Sequence, residues 1–407
     1  MPAPSRARRT GVLAASFLHF DVSFLCWVMI GALGVAITKD LHLSASQKGF
    51  LVGVPILSGS VMRIVVGRVA EMWSIKKAGY ITIAGAALGL VLGAMLARSY
   101  GALVGVGLLL GCSGASFAVA LPLASRWFPP ERQGIALGVA GAGNSGTVIA
   151  TFFAPRIAAH LGWPRTMALA LLPLLAMTLA WTLLAKDPRR QQAPSDVRSV
   201  LRDGDFWLLC FVYSVTFGGF VGLTTFLPLF LHGEYRLGAI SAGNITAIAA
   251  FLGSAARPLG GFIADRVTGR VVAAAVLSVV ALCALVVGAH VSTAVTTAAV
   301  FVLLAALGAG NGAVFQMVPR RFPSEIAVVT GMVGAAGGIG GFYLPTMLGV
   351  LKDSTGTYLS GLCVYAGMAT IAVLVVAIAG RRWTATWLAP LRTRAHQPIP
   401  AATQVSA

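Results

Sequence analysis

The chain has 407 residues, 57% of them hydrophobic and only 10% charged, with 48 glycines and a mean hydropathy of +0.85. That balance excludes a soluble globular domain and marks an integral membrane protein. The net charge of +18 raises the question of a nucleic-acid partner, but with the apolar runs taken as spans, 21 of the 30 Lys and Arg residues fall on one side of the membrane and 7 on the other. This is the positive-inside pattern, so the basicity is topological, no polynucleotide partner is expected, and both termini are expected on the cytoplasmic side.

Apolar runs long enough to cross a bilayer, about 20 residues each, occur at 11–37, 47–67, 78–97, 101–123, 134–154, 166–185, 206–231, 240–263, 271–289, 295–318, 327–351 and 358–380. The expected fold is an all-α membrane protein of twelve transmembrane helices. The first run is too long for a cleavable signal peptide and lacks a small-residue cleavage site followed by a polar mature domain. The polar stretch KDPRRQQAPSDVRSVLRDGD at 186–205 divides the spans. The expected organisation is a six-helix bundle over 1–185, a cytoplasmic linker over 186–205, a second six-helix bundle over 206–380, and a disordered cytoplasmic tail over 381–407.

In chain order, the first span carries the only acid expected inside a span, Asp21, with His19 two residues before it. Intramembrane titratable groups are the usual proton carriers, so this pair is the candidate for proton coupling; the alternative is a structural pairing or a place near a helix end. The second span contains Arg63 within SGSVMRIVVGRVAEMW, residues 58 to 73. A charge at the centre of a span costs roughly 2.5–3.5 kcal/mol on insertion scales, so such a residue is expected to face a cavity. The five cysteines, Cys26, Cys112, Cys210, Cys283 and Cys363, all fall in spans with no pairing or metal-ligand spacing, and the six histidines are scattered. Neither metal nor cofactor nor disulfide is indicated. No Ser/His/Asp order or phosphate loop points to an enzyme.

The second half repeats the first. At an offset of 194, MRIVVGRVAEM (62–72) aligns with ARPLGGFIADR (256–266), placing Arg63 on Arg257, Gly67 on Gly261 and Glu71 on Asp265. The same offset places RWFPPE (126–131) on RRFPSE (320–325). Six-span repeats around a linker are the trace of a transporter whose two bundles meet at a midplane site. Two arginines at equivalent positions are expected to approach that site from opposite halves and offer planar donor forks to one anion. The alternative is that each pairs with an acid or with backbone carbonyls.

The G-x-x-x-[D/E] segments at 67–71 and 261–265 resemble the cytoplasmic loop motif of the major facilitator superfamily, although the first copy has Glu71 for the common Asp and lacks the later Gly. In that motif the acid acts as a latch, capping a neighbouring helix or pairing with an arginine across the halves. GIALGVAGAGNSGTVIATFFAP (134–155) and GMVGAAGGIGGFYLPTMLG (331–349) resemble the paired signature segments of the nitrate/nitrite porter family. FDVSFLCWVMIGAL (20–33), YSVTFGGFVG (213–222) and GAGNGAVFQMVPRRFP (308–323) resemble that family's first, seventh and tenth spans.

The resemblance implies a secondary transporter of nitrate, nitrite or both, working as a monomer in lipid by alternating access. It implies Tyr213 as a substrate ligand beside Arg63 and Arg257, with Phe117 and Phe217 walling the anion above and below; Asn144 is a further candidate, whose amide either donates to the anion or merely bonds a facing helix. Tyr213 and Phe217 are four residues apart and share a helix face; Asn311 and Gln316 are lesser polar candidates. Gly141, Gly143, Gly146, Gly337, Gly338, Gly340 and Gly341 strip side chains from two helix faces, as either a moving seam or static close packing. Exchange of nitrate for nitrite is expected over proton-coupled nitrate symport. A facilitator for another small organic anion and a solute-sensing receptor are the further alternatives.

Overall fold

The computed structural model describes residues 6–128, 136, 138–187, 197–323 and 325–388, which are helical almost throughout, with no strand among them. The start of the fifth expected span at 134, Pro129 and Glu131 of the repeat motif, linker residues 188–196 and tail residues 389–407 lie outside the described residues.

Eleven described helices are long and apolar enough to cross a membrane. The first span, Arg6–Trp27, continues through two short helices, Met29–Ala32 and Gly34–Leu41. The second is Ala45–Met72, the third Ile75–Met95, and the fourth runs as Tyr100–Gly114 and Phe117–Arg126. The sixth comprises Trp163–Leu169 and Leu171–Leu184. The seventh to twelfth are Gly204–Tyr235, Ala239–Val267, Gly269–Gly288, Thr293–Arg321, Ile326–Thr355 and Leu359–Thr386. The fifth is described as helical residues 138–141, a 3-10 turn at Ala142–Ser145 and the helix Gly146–Leu161.

Local chemistry explains the ends. Ser44, Ser74, Ser99 and Ser292 each accept a hydrogen bond from the backbone amide three residues on, and Ser44 forms a full capping box with Gln47. Because the connections are so short, the helices outrun the apolar segments. The acidic ends of both G-x-x-x-[D/E] segments, expected as turns, are the last helical turns of the second and eighth spans.

Spans one to six pack on one another, as do spans seven to twelve, and the halves meet where the first span touches the seventh, the second the eleventh and the fifth the eighth. Glycine makes the crossings close. A Cβ at Gly49 or Gly349 would overlap the carbonyl oxygen of Pro345 or Ala45, and one at Gly31 would lie 3.0 Å from Thr225 Cα. These contacts gather at the end bearing the Ser44 loop. There Asp353, at the end of the eleventh span, accepts hydrogen bonds from the backbone amides of Ala45 (3.1 Å) and Ser46 (2.8 Å), the first turn of the second. On the other seam Arg156 Nη2 donates to Asn244 Oδ1 at 2.7 Å. At the opposite, Ser74 end, the second and eighth spans expose Ile64, Val65, Leu259, Phe262 and Ile263.

The Asp353 carboxylate therefore closes the Ser44 end by capping a helix of the other half, where the helix dipole favours a negative charge. In Asp353→Asn the pulsed-resonance distance between spin labels on Lys39 and Leu359, one in each half, is expected to lengthen or split into two populations. A single unchanged distribution would mean that backbone packing alone holds this end shut.

Candidate substrate site

Arg63 is only 2% exposed and has no carboxylate partner among the described residues. Its Nε donates to the Gly114 carbonyl at 3.1 Å, and its Nη1 donates to the Gly334 carbonyl in the eleventh span, across the interface between the halves. Three aromatic rings surround the guanidinium, with centroids 5.4 Å (Trp27), 5.3 Å (Phe117) and 5.3 Å (Phe217) from its carbon. Each such contact contributes about 0.5–2 kcal/mol, so together they match the roughly 2.5–3.5 kcal/mol cost of the buried charge. Nη2 is buried without a partner.

Arg257 is half-buried, rests on Phe315 with 5.5 Å to the ring centroid, and likewise forms no ion pair among the described residues. Tyr213 is fully buried and within electrostatic reach of both guanidinium groups, and Arg257 stands against its hydroxyl, though no hydrogen bond of ordinary geometry reaches that oxygen. The Tyr213 and Phe217 rings stack at 5.1 Å with planes 6° apart, as their spacing on one helix face requires. The structure thus brings Arg63, Arg257, Tyr213, Phe117 and Phe217 together. It differs in one respect: Phe117 and Phe217 both pack against the Arg63 guanidinium itself. A buried cation with no acid nearby takes the ring faces for its own stabilisation.

Two aromatic residues join the site that sequence reasoning did not single out. Phe315 lies edge-on to Tyr213 at 4.9 Å and 6.0 Å from Phe117, and Trp27 backs Arg63. Both lie within segments that carried the family resemblance, but an aromatic residue in an apolar span has no signal of its own. Asn144, in the 3-10 turn of the fifth span, is 3% exposed with Oδ1 unpartnered, and Asn311 is buried with the same orphaned atom.

Other expected roles separate. Asp21 and His19 do not form a pair. Two residues along a helix turn about 200°, so Asp21 faces the fifth span, where Ser145 Oγ donates to it at 2.5 Å. His19 is fully buried against Thr82 Oγ1 (3.0 Å) and Trp181, whose ring lies 4.3 Å away. The acids expected to latch the halves stay in their own halves. Glu71 pairs with Arg68 on its own helix at 3.6 Å, and Asp265 with Arg320 and Gln316 of the tenth span at 3.2 Å each. Glu71 and Asp265 stand at the Ser74 end, away from the tight crossings.

Among the expected gating glycines, Gly143 and Gly146 let the fifth span press on Phe20 and Asp21 of the first. Gly337 and Gly340 lie on the seventh span, and Gly338 and Gly341 face the second, at Ser60 and Ile56. Gly141 does not share this role, since a Cβ there meets nothing within 4 Å.

A two-fold helical membrane protein closed at one end, with two uncompensated arginines converging at its middle, belongs to the class of alternating-access carriers. The chain belongs to the Major Facilitator Superfamily, whose sequence profile matches residues 15–345. It is 34% identical over 387 residues to a probable nitrate/nitrite transporter, NarK2, of Mycobacterium tuberculosis, covering 92% of this chain and 98% of that one. It is 29% identical over 367 residues to the nitrite extrusion protein of Bacillus subtilis (89% and 93% covered), and 30% identical over 388 residues to a probable nitrate/nitrite antiporter, NarK1, of Thermus thermophilus (86% and 87% covered). In fold it is similar to a bacterial homologue of the human lysosomal transporter Spinster in an inward-facing and occupied conformation, with a TM-score of 0.74, 19% identity, and 95% of this chain and 100% of that one covered.

Because a Cβ at Gly338 would overlap Ser60 Oγ, Gly338→Ala is expected to destabilise the protein by about 1–3 kcal/mol, the usual cost of overpacking. Adding Ser60→Gly is expected to restore part of that loss, read as the melting temperature in detergent.

Proposed function

We propose that the chain is a secondary transporter that carries nitrate and nitrite across the bacterial inner membrane by alternating access, exchanging one anion for the other. The observation that carries this reading is the convergence of Arg63, Arg257 and Tyr213 with no carboxylate set against either guanidinium among the described residues. A fixed charge of +2 in a low-dielectric site calls for an anion. The free Nη2 of Arg63 and the Tyr213 hydroxyl are donors suited to oxygen. The names of the relatives in Mycobacterium, Bacillus and Thermus agree with that chemistry.

The positive-inside distribution of Lys and Arg supports a cytoplasmic Ser74 end, so that the tightly packed Ser44 end faces outward. We read the chain as a monomer in lipid, divided into halves over 1–185 and 206–380 with both termini inside and no nucleic-acid partner. Exchange follows from the charge: the two arginines are mutually repulsive when the halves close on an empty site, so an anion favours the return step. Asp21 keeps proton-coupled symport as a second reading, because it bonds Ser145 beside Asn144 and a change in its protonation would reach that turn.

Arg63→Lys and Arg257→Lys are each expected to reduce nitrate counterflow in proteoliposomes by about a hundredfold, since a lysine ammonium lacks the planar guanidinium that at 63 holds two carbonyls and still presents a third nitrogen. Tyr213→Phe is expected to weaken nitrate binding about tenfold, the usual worth of a hydrogen bond to a charged group. Full uptake in either lysine variant would take that arginine out of the site.

For coupling, the deciding measurement is nitrate entry into proteoliposomes that contain no nitrite, under an inward proton gradient. Entry is expected to be slow and to rise strongly when nitrite is loaded inside. Accumulation without internal nitrite, lost in Asp21→Asn, would establish symport through Asp21 instead.

A further inference from the structure

Trp27 ends the first long helix of the chain, and its indole, 1% exposed, reaches into the second and fourth spans. It fits there because two glycines leave room. A Cβ at Gly59 would lie 3.0 Å from the indole nitrogen, and one at Gly114 would lie 2.6 Å from it. The nitrogen donates to the Pro55 carbonyl at 2.7 Å, which fixes the ring in its slot. One face of the ring then carries the Arg63 guanidinium at 5.4 Å, and the glycine that admits the indole, Gly114, also supplies the carbonyl that takes Arg63 Nε.

From the first half, Arg63 is therefore oriented by this slot together with the Phe117 ring, 5.3 Å from its guanidinium carbon. Gly114 takes Nε and Gly334 of the other half takes Nη1, which leaves Nη2 as the unbonded nitrogen. A guanidinium held by two single carbonyl bonds still has freedom to tilt, and a flat ring against it removes that freedom. The second half has no counterpart: at the offset of 194 the position of Trp27 is Val221, and Arg257 leans on Phe315 of the tenth span.

We propose that Trp27 is a positioning residue for substrate binding, holding the Arg63 guanidinium in the orientation that presents Nη2 to the anion. The proposal rests on the reading of Arg63 as a substrate ligand. The competing view, that Trp27 merely fills the core, predicts the same loss for any side chain that leaves a void and no particular change at Arg63.

The experiment pairs nitrate affinity of the purified full-length chain with the rate at which phenylglyoxal modifies Arg63, followed by peptide mass spectrometry without any anion present. Trp27→Leu is expected to weaken nitrate binding about fivefold to tenfold, the range of a desolvated cation–π contact, and to speed modification of Arg63 severalfold. Trp27→Phe, which restores a ring face but not the indole donor, is expected to recover most of both. Trp27→Met, closer in volume, is expected to behave as Trp27→Leu and serves if the leucine variant does not fold. Unchanged modification of Arg63 in a monodisperse leucine or methionine variant would overturn the positioning role whatever the affinity. Faster modification with unaltered nitrate affinity would also overturn it, and would place the failure in the reading of Arg63 as a ligand.

Discussion

The rest of the site depends on one guanidinium that has no carboxylate to balance it. Arg63 sits at the middle of a long apolar helix and is compensated by ring faces and two backbone carbonyls. A carboxylate would hold the charge more strongly but would also neutralise it and occupy its donors. Rings and carbonyls stabilise the cation while leaving its net charge intact for a ligand. That choice dictates the neighbours: aromatic residues from the first, fourth and seventh spans, and glycines at 114 and 334 whose bare backbones come near enough to accept from it.

The same requirement for close backbones governs how the halves meet. The eleventh span is packed between the seventh of its own half and the second of the other, and its glycines are divided between the two faces. One face, through Gly337 and Gly340, is fitted to a helix that moves with it. The other, through Gly338, Gly341 and Gly349, is fitted to one from which it must part. Polar bonds from Asp353 and Arg156 reinforce the contacts between the halves toward the Ser44 end, and the bond from Arg63 to Gly334 does so at the level of the site. Lipid offers no hydrophobic force to separate or join helices, so close packing and a few polar links set the balance between the two closed states.

Much of this was legible in the sequence, and the limits have physical causes. Hydropathy located the spans because backbone in lipid must be helical, and the repeat located Arg63 and Arg257 because equivalent positions in two halves meet at the centre. Hydropathy misplaced the helix ends at 67–71 and 261–265 because amphipathic final turns reach past the apolar core into the polar boundary. His19 and Asp21, adjacent in sequence, face different helices, Thr82 of the third span and Ser145 of the fifth, because adjacency along a helix is not adjacency in space. The latch role of Glu71 and Asp265 belongs to contacts that depend on conformation, which a linear pattern does not encode. Trp27 and Phe315 were invisible as site residues because they are distinguished only by what they touch.

The two arginines, equal in the repeat, are unequal in the fold, and this bears on how the cycle runs. Arg63 is enclosed by three rings and bonded across the interface to Gly334, whereas Arg257 is half-buried on one ring. The bond to Gly334 ties the first half to the eleventh span at the level of the site. When the Ser44 end opens, the second and eleventh spans must part, so Arg63 has to release Gly334. On the proposed reading of Arg63 as a ligand, an anion at Nη2 lowers the cost of that release by supplying the negative charge the carbonyl dipole had partly provided. Arg257, held by fewer contacts, is freer to follow the anion as the halves rock. On that reading the more tightly held arginine defines where the anion sits and the looser one closes on it.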